Sequence, residues 1–548
     1  MPPCSLQFLR SCCFRSSPDL VIENARIWTD GRVGFAPFAA VRDGRFVYVG
    51  DYEPSLVGPN TEHLDAEGRV VLPGFIDSHI HMLNGGNNLS QLQLRDARDK
   101  EDFIRRVREW AGNLPEGRWI LGGRWSTESW QHVEQPTRQW VDEASQGRPL
   151  FLSRMDGHSA LVNSVALRMA GITKNTPDPP GGVVDRDPVT GEPTGILRET
   201  AMGLVSRLIP PPTLQDKVEA LNRAMRAANA MGITTVCDIP GIADLPAYEA
   251  LAERDDLTVR FLLYPTGGDW RRDAERLRAF RGKPGWIEPR GFKAYFDGSL
   301  GSRTAWMSAP FANNPPDNKD WSGLPMPIVT DGTFDRNARA AAEANLQVIV
   351  HAIGDEANRV LADKLLAAYG GIERLRAARA RSEHAQHLAP DVIRAFAERG
   401  IIASLQPFHK ADDGRYAEQY LGKERCAWSY AYRSLVNAGA VIAFGSDWPV
   451  VTQNVMLGLE AAVEGRILNG AIWFPEQSVT IAEALRAYTS YAAYAAFMEK
   501  EIGRIEVGYR ADFVVLNASP FGLSPRWSEI QPDLVFVEGR KVFGRATR

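Results

Sequence analysis

The segment GFIDSHIHML, residues 74–83, places His79 and His81 one residue apart after a short apolar run. Side chains at i and i+2 of a strand share a face, so both imidazoles can reach one point. Further along, Lys293 in FKAYFDG, His351 in LQVIVHAIG, His384 in RARSEHAQ and Asp447 in VIAFGSDWP also stand near the ends of apolar runs. Imidazole nitrogen and carboxylate oxygen together suit Zn²⁺ or a similar divalent ion, with a coordination position left for water or substrate. Water on such an ion has a pKa of ~7 and supplies hydroxide near neutral pH. Asp447 is then suited to take the proton during attack and to pass it to a leaving nitrogen. Any one of these histidines taken alone reads better as a hydrogen-bonded structural residue. Four histidines at three strand ends, with an aspartate at another, reverse that reading.

The elements that must bring these residues together are legible as alternating strands and helices. Eight apolar runs are strand candidates: VVLPGFIDSHIH, GITTVCDI, VRFLLYP, GFKAYFDG, LQVIVHAIG, RARSEHAQ, IIASLQP and VIAFGSDWP. Amphipathic stretches such as LQDKVEALNRAMRAANAM and RNARAAAEAN intervene, which argues for a parallel sheet with crossover helices. Eight strands are the number that closes a TIM (β/α)8 barrel, whose chemistry sits at the C-terminal ends of the strands. The interval between the first and second strands is far too long for a loop. It predicts an inserted subdomain, about 85–215, within a barrel spanning 71–499. This insertion carries Trp110, Trp119, Trp125, Trp130 and Trp140, for which packing is the commoner role. Short β-like runs within 19–70 and again within 500–548 predict one β-sandwich domain assembled from both termini.

Composition narrows the classes. A net charge of −4, with both signs mixed along 548 residues, offers no basic stripe for nucleic acid. No apolar run approaches the ~18 residues of a membrane span. The five cysteines include Cys4, Cys12 and Cys13 near the start and the distant Cys237 and Cys426, which is no disulfide framework and fits a reducing, cytoplasmic setting. Residues 1–18 read as a disordered leader, since their apolar part is too broken for a secretory signal.

With these residues in place, the chain resembles the amidohydrolase superfamily, and within it the metal-dependent YtcJ-like branch (amidohydrolase family 3). The motifs that carry the resemblance are LPGFIDSHIHM, RMDGHSALVNSVAL, PPGGVVDRD, PTGILRE, GITTVCD, FKAYFDGSLGSRTA, VHAIGDEANR, RSEHAQ, SLQPFH, GSDWPV and GYRADFVVL, and they cover nearly everything from residue 19 onward. The resemblance implies that His79, His81, His351 and His384 ligate metal and that Asp447 is the acid of the eighth strand. It also implies that Lys293 ligates as its N6-carboxylated form, because an ammonium repels a cation whereas its carbamate can bridge two metals. The competing reading is an unmodified Lys293 that pairs with Asp297 or orients substrate beside a single ion. Asp156 and His158 are expected to contact substrate from the insertion, and Gln406 and His409 to line the pocket. Glu383 is expected to point away as a structural partner, and His132 and His387 to be surface or structural.

The implied reaction is hydrolysis of a carbon–nitrogen bond outside peptides, in an amide, N-formyl group, carbamate or cyclic amide of a small molecule. The tryptophans of the insertion, with Phe408 and Trp448 beside site motifs, favour an apolar or aromatic substituent. Two rival readings are a deaminase using the same chemistry and a non-catalytic barrel scaffold. A homodimer is the family-level expectation.

Overall fold

The computed structural model describes residues 17–545 except 31–33, 128, 129, 131, 133 and 155–157. The leader expected over residues 1–18 falls almost wholly outside this range, as does Asp156. The chain divides into two compact units, Leu83–Ala224 and the remainder of the chain on either side of it.

In the larger unit the eight runs form parallel strands: β1 (Phe75–Ile80), β2 (Ile233–Asp238), β3 (Arg260–Leu263), β4 (Gly291–Tyr295), β5 (Gln347–Ala352), β6 (Arg381–His384), β7 (Ile402–Leu405) and β8 (Ile442–Phe444). β1 and β2 are buried at every residue, as parallel strands covered on both faces should be. The strands lie in two sheets rather than in the one expected. One has the order Ile287–Pro289, β3, β2, β1, and the other runs from β4 to β8 in sequence order. At the margin with β4 the break lies beside prolines: Pro265, just after β3, and Pro289, at the end of the short extra strand, have no N–H to give a ladder. Backbone hydrogen bonds join the sheets at both margins. Lys293 N donates to Pro265 O at 3.3 Å, and on the other side Asp447 N donates to His79 O at 2.7 Å and His81 N to Trp448 O at 2.9 Å.

Helices follow the strands, among them Leu245–Ala252, Trp270–Arg278, Thr333–Glu343, Asp355–Tyr369 and Pro390–Arg399. The last shows how sequence sets their limits. Pro390 occupies the first turn, where its missing N–H costs nothing, and Gly400 ends the helix at φ 70°. No helix among the described residues is long and apolar enough to cross a membrane.

The segment before β1 serves a different sheet. Val70–Pro73 pairs antiparallel with Phe513–Leu516 and parallel with Arg26–Trp28, so both ends of the chain share one six-stranded sheet. Leu20, Ile22 and Phe46, from a separate four-stranded sheet, share an apolar cluster with Val71, Phe513 and Phe536. The switch between sheets occurs at Gly74, where a Cβ would stand 2.4 Å from Thr234 Oγ1. β3 is tied to the C-terminal strands by Arg260, fully buried, which bonds the Asp512 carboxylate and donates to Glu538 at 2.9 Å.

Leu83–Ala224 forms its own unit around a six-stranded mixed sheet. The five tryptophans pack inside it. Trp125, Trp130 and Trp140 lie in one apolar cluster with the half-buried Trp110 packed against it, and the half-buried Trp119 packs against another. Their role is core packing, the commoner one expected of them.

Candidate metal centre

The C-terminal ends of β1, β5, β6 and β8 carry the chemistry, and at two of them the backbone is bent to aim it. His384 and Ala385 have φ of 74° and 42°, and Asp447 has φ 59°. A non-glycine residue in the left-handed region costs about 1–3 kcal/mol. The surroundings hold it there: Ala385 N donates to Ala352 O at 3.1 Å, and Asp447 N is fixed on His79 O. His384 is thereby turned toward the neighbouring strand ends, its ring 4.4 Å from that of His351 and 4.7 Å from that of His79.

The hydrogen bonds around the four imidazoles decide where each lone pair points. His79 Nδ1 lies 2.5 Å from Glu383 Oε2, His81 Nδ1 3.4 Å from Ile239 O, and His384 Nδ1 2.8 Å from Gln406 Oε1. Each neighbour is an acceptor, so each Nδ1 carries the proton and each Nε2 keeps its lone pair. His351 is reversed: its Nε2 donates to Gly298 O at 3.0 Å, which leaves Nδ1 as the free donor atom. Asp447 Oδ1 then lies 3.1 Å from His81 Nε2 and 3.4 Å from His79 Nε2. Lone pairs directed at a carboxylate oxygen repel it unless a cation stands between them. One ligand atom each from His79, His384 and Asp447 lie within 4.8 Å of one another, and all three residues are buried. The donor set fits a divalent metal.

Burial and charge agree with that fit. Burial lowers the His351 pKa to about 3 and pushes that of His384 well below 6.5, so both rings stay neutral and able to ligate. Burial works against ionisation of Asp447, but the imidazole groups of His79 and His81 beside it bring its pKa well below the usual carboxylate range. Burial likewise works against ionisation of Glu383, and the Arg381 guanidinium overcomes it, bringing its pKa to about 2. Arg381 donates to Glu383 Oε1 at 2.7 Å and also bonds Ser78 O, so a buried ion pair anchors the residue that orients His79. Asp77, whose Oδ1 accepts from the backbone of His79 and Ser446, supports both sides of the site.

Lys293 is buried, and burial lowers its pKa to about 8. Its Nζ lies 3.4 Å from His79 Nε2 and 4.6 Å from the ring centroid of Tyr295. The expected alternative pairing with Asp297 does not form. Asp297 instead accepts the backbone N–H groups of Ile353, Gly354 and Trp306 at 3.0, 2.8 and 2.9 Å, which fixes the loop beside His351.

The structure thus brings His79, His81, Lys293, His351, His384 and Asp447 together, with His409 beside them: its Nε2 is 3.6 Å from Asp447 Oδ2. Gln406, expected to line the pocket, is fully buried and holds His384 instead. Glu383, expected to point away, holds His79. His158 is exposed, with Nδ1 3.0 Å from Glu199 Oε1, and His387 is buried against Ser429 Oγ at 2.7 Å. Arg381, Asp77 and Gln386 also support the site, though the sequence motifs do not mark them. The i, i+2 spacing of Arg381 and Glu383 on one strand was the available signal for the first of these.

An α/β scaffold with neutral imidazoles and an ionised aspartate turned to one point is that of a divalent-metal site. Residues 62–543 match the model of the amidohydrolase family, and the chain belongs to it. The chain is 35% identical to the protein LONG AFTER FAR-RED 3 of Arabidopsis thaliana, across 96% of this chain and 91% of that one. It is 32% identical to the putative amidohydrolase YtcJ of Bacillus subtilis, across 88% and 91%, and 27% identical to the N-substituted formamide deformylase of Arthrobacter pascens, across 95% and 97%. Among solved structures, an uncharacterized metal-dependent hydrolase from Pyrococcus furiosus superposes with a TM-score of 0.74 at 26% identity, covering 92% of this chain and all of that one.

Proposed function

We propose that this chain is a metal-dependent hydrolase of carbon–nitrogen bonds outside peptides, acting on an N-formyl amine, amide, carbamate or cyclic amide. The observation that carries the reading is the hydrogen-bonding of the four imidazoles, each with one nitrogen held by an acceptor and the other left free beside Asp447 and Lys293. The two parallel sheets, bonded at both margins, are read as halves of one (β/α)8 barrel, with the terminal sheets as a β-sandwich beside it.

His79, His81, His351, His384 and Asp447 would hold one or two divalent ions, Zn²⁺ being the favoured metal for this donor set. Lys293, as its carbamate, would add an anionic ligand to this set. The neutral fraction of a buried amine would add CO₂ at Nζ and release a proton, replacing a repelling cation by a carbamate whose single negative charge is shared by two oxygens. A bound Zn²⁺ supplies Lewis acidity toward the scissile carbonyl and lowers the pKa of a water to ~7. Asp447, ionised at neutral pH, accepts the proton released as water attacks and returns it to the departing nitrogen, so that an amine leaves rather than an amide anion. Glu383, Gln406, Ile239 O and Gly298 O keep the imidazoles in the tautomers the site requires.

The experiment is turnover of a panel of N-formyl amines, simple amides, carbamates and cyclic amides by purified protein, before and after chelation, with the free amine or acid measured. Turnover of at least one class, lost on chelation and restored by Zn²⁺, is expected. Release of ammonia from an aminated ring, with no turnover of the panel, would replace the reading by a deaminase.

A further inference from the structure

His409 differs from the other imidazoles of the site in the sign of what it presents. It stands on the helix Pro407–Asp413 that follows β7, with its backbone N–H on Gln406 O at 3.0 Å. Its Nδ1 lies 3.2 Å from Gln386 Nε2. An amide nitrogen can only donate, so Nδ1 accepts and the ring proton must sit on Nε2. That Nε2 is buried, has no hydrogen-bond partner, and lies 3.6 Å from Asp447 Oδ2. The ring planes of His384 and His409 are close neighbours, with centroids 6.1 Å apart, yet the first offers the site a lone pair and the second an N–H.

Resting on the hydrolase reading, we propose that His409 is not a metal ligand but the donor that positions Asp447, and that Gln386 makes it one by fixing its tautomer. The two oxygens of Asp447 then have separate partners. Oδ1 faces His79 Nε2 and His81 Nε2, while Oδ2 faces the His409 N–H. A shift of about 0.5 Å brings that N–H into hydrogen-bond range, and such contacts tighten when substrate binds. The bond holds the carboxylate plane in one orientation while its proton is gained and lost. Gln386 can serve because the left-handed turn at Ala385 (φ 42°) carries it from the end of β6 to the base of the helix that bears His409. It is itself buried, at 3% exposure.

The test uses full-length protein labelled with ¹⁵N-histidine. Long-range ¹H–¹⁵N spectra of the metal-free form assign the tautomer of His409, identified by the signal lost in His409→Gln. We expect Nε2–H in the wild type and Nδ1–H in Gln386→Glu, whose carboxylate can only accept. His409→Gln, which can place an amide N–H where Nε2 stood, should retain its metal and more turnover than His409→Leu. His409→Leu should lose about 10- to 100-fold in kcat, with KM little changed and metal content intact. Nδ1–H in the wild type, or loss of metal from both His409 variants, overturns the proposal. The tautomer is read without turnover, so an Nε2–H signal in a protein that hydrolyses no member of the panel would support the assignment while refuting the hydrolase reading.

Discussion

Replacing Glu383 with glutamine should weaken metal binding without touching a ligand. Glu383 is fully buried and accepts two charge-assisted hydrogen bonds on separate oxygens, from His79 Nδ1 at 2.5 Å and Arg381 Nε at 2.7 Å. Glutamine has one acceptor oxygen, so its NH₂ must face one of these donors. Loss of a partner that orients a metal-bound imidazole costs about 10- to 100-fold in metal affinity, or about 1.4–2.7 kcal/mol. The fold should also suffer. The Glu383 pKa falls from 4.5 to about 2, held there by Arg381 and His79 against the effect of burial, which corresponds to about 3 kcal/mol of stability from the ionised form. A carboxyl with a lowered folded pKa contributes this stability above its unfolded pKa and loses it as pH falls through about 2. At pH 7 the whole contribution is therefore at stake, in line with the ~3–5 kcal/mol lost when a buried ion pair loses one partner. Competition with a chromophoric chelator reads the affinity and denaturant unfolding of the metal-free protein reads the stability. Wild-type values of both in Glu383→Gln would refute the claim that this carboxylate orients His79 and neutralises Arg381.

Asp447→Asn should keep most of its metal, since four imidazoles remain, yet lose about 10²- to 10⁴-fold in kcat; parallel metal analysis and kinetics check this. His351→Ala or His384→Ala should lose metal and activity together, read by the same pair of measurements. The metal-free protein should lose stability as pH drops from 6.5 through about 3, because buried His351, whose pKa is lowered, takes up its proton more readily when unfolded. His351→Gln should flatten that limb in pH-dependent unfolding. Arg260→Ala should cost ~3–5 kcal/mol by leaving Asp512 buried and unpaired, measurable as a lower denaturant midpoint.

What the sequence made legible were features fixed by local spacing. The HxH pair, the histidines and lysine near the ends of β4, β5 and β6, and Asp447 after β8 all follow from apolar runs that stop at a polar residue. What it did not show depends on departures from ideal strands. Strict alternation would send Glu383 away from a ligating His384, but His384 sits at φ 74°, which turns its side chain back to the same side. Glu383 and Arg381 keep the pleat and face inward together. The break between β3 and β4 lies beside prolines next to strand ends, whose effect on pairing depends on which neighbour they meet. The Gln386–His409 contact joins two strand ends that are adjacent only in space, and no spacing along the chain encodes it. The alternative pairing of Lys293 with Asp297 is excluded by backbone donors at Trp306, Ile353 and Gly354, which occupy that carboxylate and which no spacing along the chain reveals.

The most direct test of the central claim is to strip the purified protein with chelator and titrate Zn²⁺ back while following hydrolysis of whichever panel compound it turns over, counting metal per chain by elemental mass spectrometry at each point. Activity should vanish with the metal and return in proportion to it, saturating at one or two ions per chain. Undiminished turnover in metal-free protein, or a chain with intact histidines that takes up no metal, would contradict the account.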